Sequence, residues 1–389
     1  MLEVRRTAEV VPNYSLTGDL LSYMRCGLQY RYQNGSSLPP SRPVQMWFGE
    51  FIHGVMETAY RIWRADPPTF PWPCTVTEFA KDPPPGRAAH DIGTIGDLVE
   101  ATLSATGKSA RSFTLRQSAY RRAERAVNEL GPALFPLIES AEEKVIGTRD
   151  IKMPPGIAAR GSMYELHGVM DVLSSMSMKQ AQDSFLRDAV LRHVGDFDGL
   201  ADVIVDYKGS RRPPTDHEYW KHGDWQLQMY AWLRSKQPGA RPVVAGVLLY
   251  INELDPGSGD VQALQIDVKK SRTDVVPDSG SSDGYQLRAW RPNSEIPDFS
   301  REFRLARMMR VVKITPESMQ EALHAFDGVV MDIETSVSKE ASSGRIPGNW
   351  KPCGDESTCA ACDFRHFCPA PAEYRDRDGN YEPGTPAAP

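Results

Sequence analysis

Three cysteines near the end of the chain, Cys359-x-x-Cys362 and then Cys368, constrain its folding more than any other feature. Thiolates at this spacing converge on a metal ion or a cluster, and the site needs a fourth ligand. Cys353, close by, would complete a local four-cysteine zinc knuckle. Cys26, far upstream, would instead tie the start of the chain to its end, and that explains why a cysteine sits in the first helical segment at all. The expected set is therefore Cys26, Cys359, Cys362 and Cys368, with Cys353 as the rival to Cys26. His366 is a further candidate, and Cys74, in a proline-rich loop, reads as a spare thiol. Thiolates select zinc or iron–sulfur clusters; zinc is the lesser candidate here, because structural zinc sites usually draw on two close pairs.

A chain of 389 residues has room for one large domain or two ordinary ones. Hydrophobic residues at 40% and charged residues at 25% are the proportions of a soluble globular protein. A net charge of −6 gives no global attraction to a polyanion, so such contacts need local basic patches. The stretch from Met1 to Val11 lacks the apolar run of a signal peptide, and no segment reaches the length of a membrane span. The expectation is a cytoplasmic protein without a membrane partner, where reduced cysteines read as metal ligands before disulfides.

Residues 15–32 read as a helix capped by Ser15 or Thr17, with Cys26 near its end. Residues 39–43 break the chain. A second helix spans about 47–64, and on it Gly49, His53 and Glu57 share a face. Residues 66–97 read as a loop or insertion. Another helix runs from about Ser112 to Leu130 and stops at Gly131-Pro132. From Lys144 the character changes. KVIGTRDI, YELHGVMDVL and ADVIVDYKGS read as strands, with a polar helical insertion over 176–198. A helix over 223–236, a buried strand from Pro242, a flexible excursion over 270–298 and a final helix from Pro316 follow. Residues 370–389 have the composition of a disordered tail. This order points to an α/β core behind a mostly helical N-terminal half.

Asp171 and Asp206 each follow an apolar strand, where two carboxylates can hold Mg²⁺ or Mn²⁺ through oxygen. Lys208, two residues after Asp206, projects to the same face and can offset charge building on a phosphate. His53 offers a nitrogen ligand. Gln226 and Tyr230, four apart on a helix, reach toward the same place and are candidates to bind a phosphate or the scissile strand, Tyr230 as a nucleic-acid contact. Arg211 and Arg212 follow closely and are candidate phosphate clamps. Trp220 and Trp225 border Lys221 and His222, a mix suited to stacking on unpaired bases. Arg121, Arg122 and Arg125 read as a solvated helix face.

Taken in order, Gly49-x-x-x-His53-x-x-x-Glu57, Gly168-x-x-Asp171, Asp206-Tyr207-Lys208, Gln226-x-x-x-Tyr230 and the terminal cysteines resemble the RecB-like branch of the PD-(D/E)XK nuclease superfamily. The likeness is greatest to its iron–sulfur members, the CRISPR-associated RecB-like nucleases and AddB-type nuclease domains, and covers about residues 15–60 and 144–369. It implies a restriction-endonuclease-like fold, a mixed central sheet flanked by helices. Residues 1–143 would form a mainly helical region, 144–345 the nuclease core and 346–369 the cluster region, followed by the tail.

The resemblance also implies roles. His53, Asp171 and Asp206 would bind Mg²⁺ or Mn²⁺, Lys208 would be the catalytic lysine, and Gln226 and Tyr230 the extra motif. Cys26, Cys359, Cys362 and Cys368 would hold a structural [4Fe–4S] cluster. The activity implied is a DNA exonuclease or end- and flap-processing enzyme on single strands, with a helicase or integrase as partner. The pathways that use such enzymes are CRISPR adaptation, DNA repair and phage replication or antiviral defence. The alternatives are a non-catalytic nucleic-acid-binding subunit or a cluster-based redox sensor. Three departures stand out: Gly27 follows Cys26 where proline is common, the insertion between Asp171 and Asp206 is long, and the strand before Gly168 offers only Arg149 and Asp150 where a glutamate is frequent.

Overall fold

The computed structural model describes residues 11–35, 44–76, 87–177, 184–355, 358–359, 362–365 and 368–369. The 39–43 break, His366 and the 370–389 tail lie outside the described residues. A six-stranded mixed sheet organises the chain. Its strands are β1 (Asn13–Ser15), β2 (Ile138–Asp150), β3 (Met163–Ser177), β4 (Leu200–Lys208), β5 (Val243–Tyr250) and β6 (Met309–Lys313). The order is β1-β3-β4-β5-β6, with β2 also paired to β3. β2 covers one edge of β3 from Met163 to Ser174. The opposite edge carries β1 at Glu165–His167 and β4 at Val172–Ser177. Gly168 to Asp171 thus occupies a gap between two partner strands.

Helices cover both faces, as the resemblance implies. The N-terminal segment is not one helix. A π-helical turn (Leu16–Leu21), capped by Ser15, leads into α1 (Ser22–Arg25), and α2 (Gly27–Gln33) follows. Cys26 separates them in an extended conformation, φ −163°, and its sulfur caps α2 by accepting the Gln29 N–H at 3.4 Å. A helical period hides such a break, because one extended residue barely disturbs the apolar spacing on either side.

Helices α3 (Val44–Ala65), α4 (Ile92–Ala105) and α5 (Phe113–Leu134) pack on one side. α4 begins inside the stretch read as a loop, at the Asp91 cap. α5 runs through Gly131-Pro132 rather than stopping there. These helices share a core with Val203, Val205 and Val247 of the sheet. The alternate residues Ile204 and Leu248 point to the other face, against Leu227 and Phe326. α6 (Phe185–Val194) lies within the insertion. α7 (Glu218–Ser235) makes the crossover between parallel β4 and β5, which no tight turn can join.

The region read as a flexible excursion is folded. α8 (Ser258–Lys269), α9 (Ser282–Ala289) and α10 (Arg301–Met308) enclose a small core of Val261, Leu264, Leu287, Trp290, Phe299 and Phe303. Its apolar residues are too scattered to give a periodic signal. α11 (Pro316–Ser343) starts at a Thr315 cap with proline at its first position. No helix among the described residues is long and apolar enough to cross a membrane.

Candidate functional site

Val172 and Val205 form the last pair of the antiparallel β3–β4 ladder on this side. One residue further, Asp171 and Asp206 stand where the strands part. With no backbone partner there, the Tyr207 N–H donates to Asp171 Oδ2 at 2.7 Å. Two glycines make the surroundings possible. A Cβ on Gly168 would meet the Tyr230 ring at 2.7 Å, and one on Gly209 would meet the Cα of Gly49 at 2.9 Å. The first lets Tyr230 lie on the gap in β3. The second lets α3 approach the end of β4 closely enough to bring His53 to the carboxylates.

His53 Nε2 bonds the Tyr207 carbonyl at 2.8 Å, and Nδ1 faces Asp171 Oδ1 at 3.3 Å. A carbonyl only accepts, so Nε2 carries hydrogen and Nδ1 is the ring atom turned to the site. Burial works against a charge on His53, yet the neighbouring Asp171 and Asp206 carboxylates outweigh it and lift the ring to about 9. Asp206 is buried at 3% exposure. Its Oδ1 accepts from Gln226 Nε2 at 2.9 Å, and the Lys208 ammonium lies 2.7 Å from Oδ2. Lys208 also donates to Gln226 Oε1 at 2.6 Å. Burial raises the pKa of Asp206, Lys208 opposes that, and Asp171 adds to it. The side-chain amide of Gln226 therefore holds lysine and carboxylate at once, and also donates to Tyr230 Oη at 3.4 Å. All six residues expected here, His53, Asp171, Asp206, Lys208, Gln226 and Tyr230, come together.

The structure adds one that sequence reading missed. Glu142 of β2, with His53 and Asp171, forms a group whose ligand atoms lie within 4.8 Å of one another. Burial, then Asp171 and Glu57, push Glu142 up to about 7. Arg149 and Asp150, the residues considered for this strand, lie elsewhere. Arg149 is paired with Asp327, and Asp150 is across from Met163 at the far end of the ladder. The signal was the acidic stretch Glu139 to Glu143, which begins before the segment read as a strand.

The His53, Glu142 and Asp171 group suits a hard divalent cation, with carboxylates from β2 and β3 and one imidazole nitrogen, and Asp206 of β4 stands beside it. Asp206 Oδ2 is buried, accepts no hydrogen bond among the described residues and touches only an ammonium by ion contact, as an oxygen shared with a cation would.

Arg212 departs from its expected role. It is buried, with Nε and Nη2 on Asp274 and Nη1 on the Arg307 and Met309 carbonyls, at 3.0 and 2.9 Å. Such a guanidinium braces the loop after β4, with four of its five N–H donors engaged and its charge paired with Asp274. Arg211 is paired with Asp267 at 2.8 Å. Arg122 pairs with Asp260, and Arg121 and Arg125 with Asp255. Trp220 is overlaid by Arg310 at 3.4 Å and Trp225 by Lys221 at 4.5 Å, so both rings already hold cations.

A second site lies around Cys26, just after α1. Cys26, Cys353, Cys359, Cys362 and Cys368 line one pocket enclosing about 430 Å³. All are free thiols. The Cys353 N–H donates to Cys26 Sγ at 3.3 Å, and the Cys353 and Cys359 sulfurs lie 3.6 Å apart. The hydrogen bond from the Cys353 side chain outweighs burial and lowers Cys26 to about 6, while Cys353 is raised by the same bond and by burial. Burial pushes Cys362 up to about 12. Cys74 lies apart, packed against the α3–α5 core.

A mixed sheet parting at two carboxylates, with a lysine two residues on and helices on both faces, defines a nuclease-type α/β core. The sequence matches the PD-(D/E)XK nuclease superfamily over residues 18–185 and 192–369, and the chain belongs to that superfamily, whose members are generally metal-dependent nucleases. No curated protein matches it.

Proposed function

We propose that the chain is a divalent-metal-dependent DNA nuclease of the RecB-like, cluster-bearing branch, acting on single-stranded ends or flaps. The observation that carries this is the Asp206–Lys208–Gln226 triangle, with contacts of 2.6 to 2.9 Å, set beside the His53, Glu142 and Asp171 group. His53, Glu142, Asp171 and Asp206 would hold Mg²⁺ or Mn²⁺. When bound, the ion supplies Lewis-acid activation of water and of the scissile phosphate.

The protein's own part is positioning. The Tyr207 N–H and carbonyl fix Asp171 and His53 by hydrogen bonds, as outer partners of metal ligands do. Gln226 holds the Lys208 ammonium at the rim of the carboxylates, where it neutralises charge that grows on a phosphate under attack. Lys208 needs no proton transfer for this, and its link to Gln226 keeps it from collapsing wholly onto Asp206. Tyr230, buried over Gly168, closes the site from behind.

The thiol pocket supports a structural [4Fe–4S] cluster held by Cys26, Cys359, Cys362 and Cys368, with zinc as the alternative occupant. A cluster there ties α1 and α2 to the C-terminal segment, and ligation of that kind contributes directly to folding. A reducing cytoplasm would keep these thiols available.

Digestion of end-labelled single- and double-stranded DNA with Mn²⁺, Mg²⁺ or EDTA, beside Asp206→Ala, tests the reading. The expected result is metal-dependent cutting of single strands that the variant lacks. Cutting unchanged in Asp206→Ala sinks the site. No cutting by protein with its thiol site loaded points to a binding subunit.

A further inference from the structure

Next to the carboxylates, toward the N-terminal helices, a second recess encloses about 470 Å³. Arg25, Lys208, Tyr219, His222, Gln226 and Tyr250 line it, and among the described residues no carboxylate does. Lys208 and Gln226 belong to both sites, so the recess opens directly beside Asp206. Lys208 is balanced by Asp206. Arg25 is not balanced: its Nε is buried without a hydrogen-bond partner, and the guanidinium forms no ion pair among the described residues. Buried donors are almost always satisfied, and a guanidinium fork suits a phosphate. Arg122, Arg211 and Arg212 each have a carboxylate partner.

The surroundings carry the same positive field. Burial first, then His217, Arg25 and Lys221, hold His222 down to about 4. Burial raises Tyr250, while Arg310, Arg212 and Lys208 all act to lower it. Tyr219 and His222 meet edge to face at 5.9 Å, giving the recess an aromatic wall. Such a wall beside a cation is how single strands are gripped without reading their sequence.

Arg25 closes α1, and the next residue is Cys26. The N–H groups of Gln29 and Cys353 bond the Cys26 sulfur, so the thiol pocket also sets where Arg25 stands.

Resting on the nuclease reading of the carboxylate site, we propose that this recess binds the backbone phosphate next to the scissile one in a single DNA strand. Arg25 is its ligand, and Tyr219 and His222 flank the adjoining nucleotide. Arg25 is a positioning residue: it grips the strand one linkage away from the chemistry.

The test is fluorescence anisotropy of a labelled oligothymidylate, with Ca²⁺ replacing the catalytic ion, over a series of KCl concentrations. Arg25→Gln is expected to weaken binding about tenfold or more. It should also flatten the slope of log K against log salt by about 0.7, the share of one phosphate on a single strand. Arg25→Lys should keep the slope. Unchanged affinity and slope in a folded Arg25→Gln overturn the proposal.

A second measurement needs no variant. Single methylphosphonate linkages are walked along the oligonucleotide with the wild-type protein. One linkage adjacent to the cut site should matter, and sensitivity at the scissile linkage alone refutes the recess. Cleavage by the same preparations with Mn²⁺ separates the two readings. Cutting with Arg25-independent binding sinks the recess alone. Arg25-dependent binding without cutting upholds the phosphate site and sinks the nuclease centre.

Discussion

Glu142 stands across the β2–β3 ladder from Asp171, with its backbone in the left-handed region at φ 54°. The pairs on either side, Ala141 with Val172 and Glu143 with Met170, keep the register. A side chain in that conformation costs about 1–2 kcal/mol, and strain of this kind persists where the surroundings impose it. Here it coincides with a carboxylate brought among His53 and Asp171, whose like charge it resists. A cation shared by the three relieves that repulsion.

Glu142→Gln keeps the shape and removes the charge. Its Mn²⁺ affinity should fall at least about tenfold, as loss of a charged ligand contact implies. In EDTA its melting temperature should hold or rise, because a half-buried like-charge contact is gone. Calorimetric titration with Mn²⁺ and paired thermal melts check both. Wild-type metal affinity in this variant removes Glu142 from the site.

What was legible in the sequence follows from chain geometry. Asp206 and Lys208 sit at the end of β4, where an apolar run stops at a charge, and Gln226 and Tyr230 share a helix face, so both periods are visible in a linear string; Asp171 follows an apolar run but lies inside β3, which continues past it to Ser177. Glu142 breaks its strand's regularity with a positive φ and lies among other acidic residues, so no period singles it out. Arg212 looked available because its partners, Asp274 and the carbonyls of Arg307 and Met309, are far off in sequence. Arg25 is not visible as a site residue in the sequence, because its neighbours in the recess, His222 and Tyr250, come from α7 and β5. β1 and β6, of three and five residues, are too short to show an alternation.

Two glycines of the recurring motifs should respond in opposite ways. Alanine at Gly168 places a Cβ 2.7 Å from the Tyr230 ring, which is buried and cannot swing away. Overpacking of this sort costs about 1–3 kcal/mol. Alanine at Gly49, inside α3, meets nothing within 4 Å and removes a flexible residue from a helix, a gain of about 0.5–1 kcal/mol. Thermal melts of Gly168→Ala and Gly49→Ala should therefore move apart, and a stabilised Gly168→Ala would contradict the packing of Tyr230.

The five-cysteine pocket makes a sharper prediction than four cysteines would. The Cys26 sulfur accepts the N–H groups of Gln29 and Cys353, at 3.4 and 3.3 Å, as a ligand thiolate does. Serine at Cys26, Cys359, Cys362 or Cys368 should abolish bound iron and its visible absorbance. Serine at Cys353 or Cys74 should retain both. Iron analysis of the six purified variants decides it: a colourless Cys353→Ser beside a coloured Cys26→Ser moves the fourth ligand to Cys353.

His222 should make the protein acid-sensitive. Its folded value of about 4 lies below the ordinary histidine value of about 6.5. The charged groups around it are Arg25 from α1, Lys208 from β4, and His217 and Lys221 from its own segment, with no carboxylate among the described residues of the recess wall. Between those two values the unfolded chain binds a proton that the folded one refuses, so stability must fall as pH drops from 7 toward 4. By pH 5 the loss from this group is at most about 2 kcal/mol, less whatever solvent screens. Carboxylates held low in the fold, such as Glu334 and Glu340, add their own acid loss, so wild type alone is not diagnostic. His222→Gln cannot take up the proton. Melting temperatures of the two proteins should diverge with acidification, the variant falling less between pH 7 and pH 5. Parallel curves would mean that the ring charges freely in the fold and that the recess lacks the positive field assigned to it.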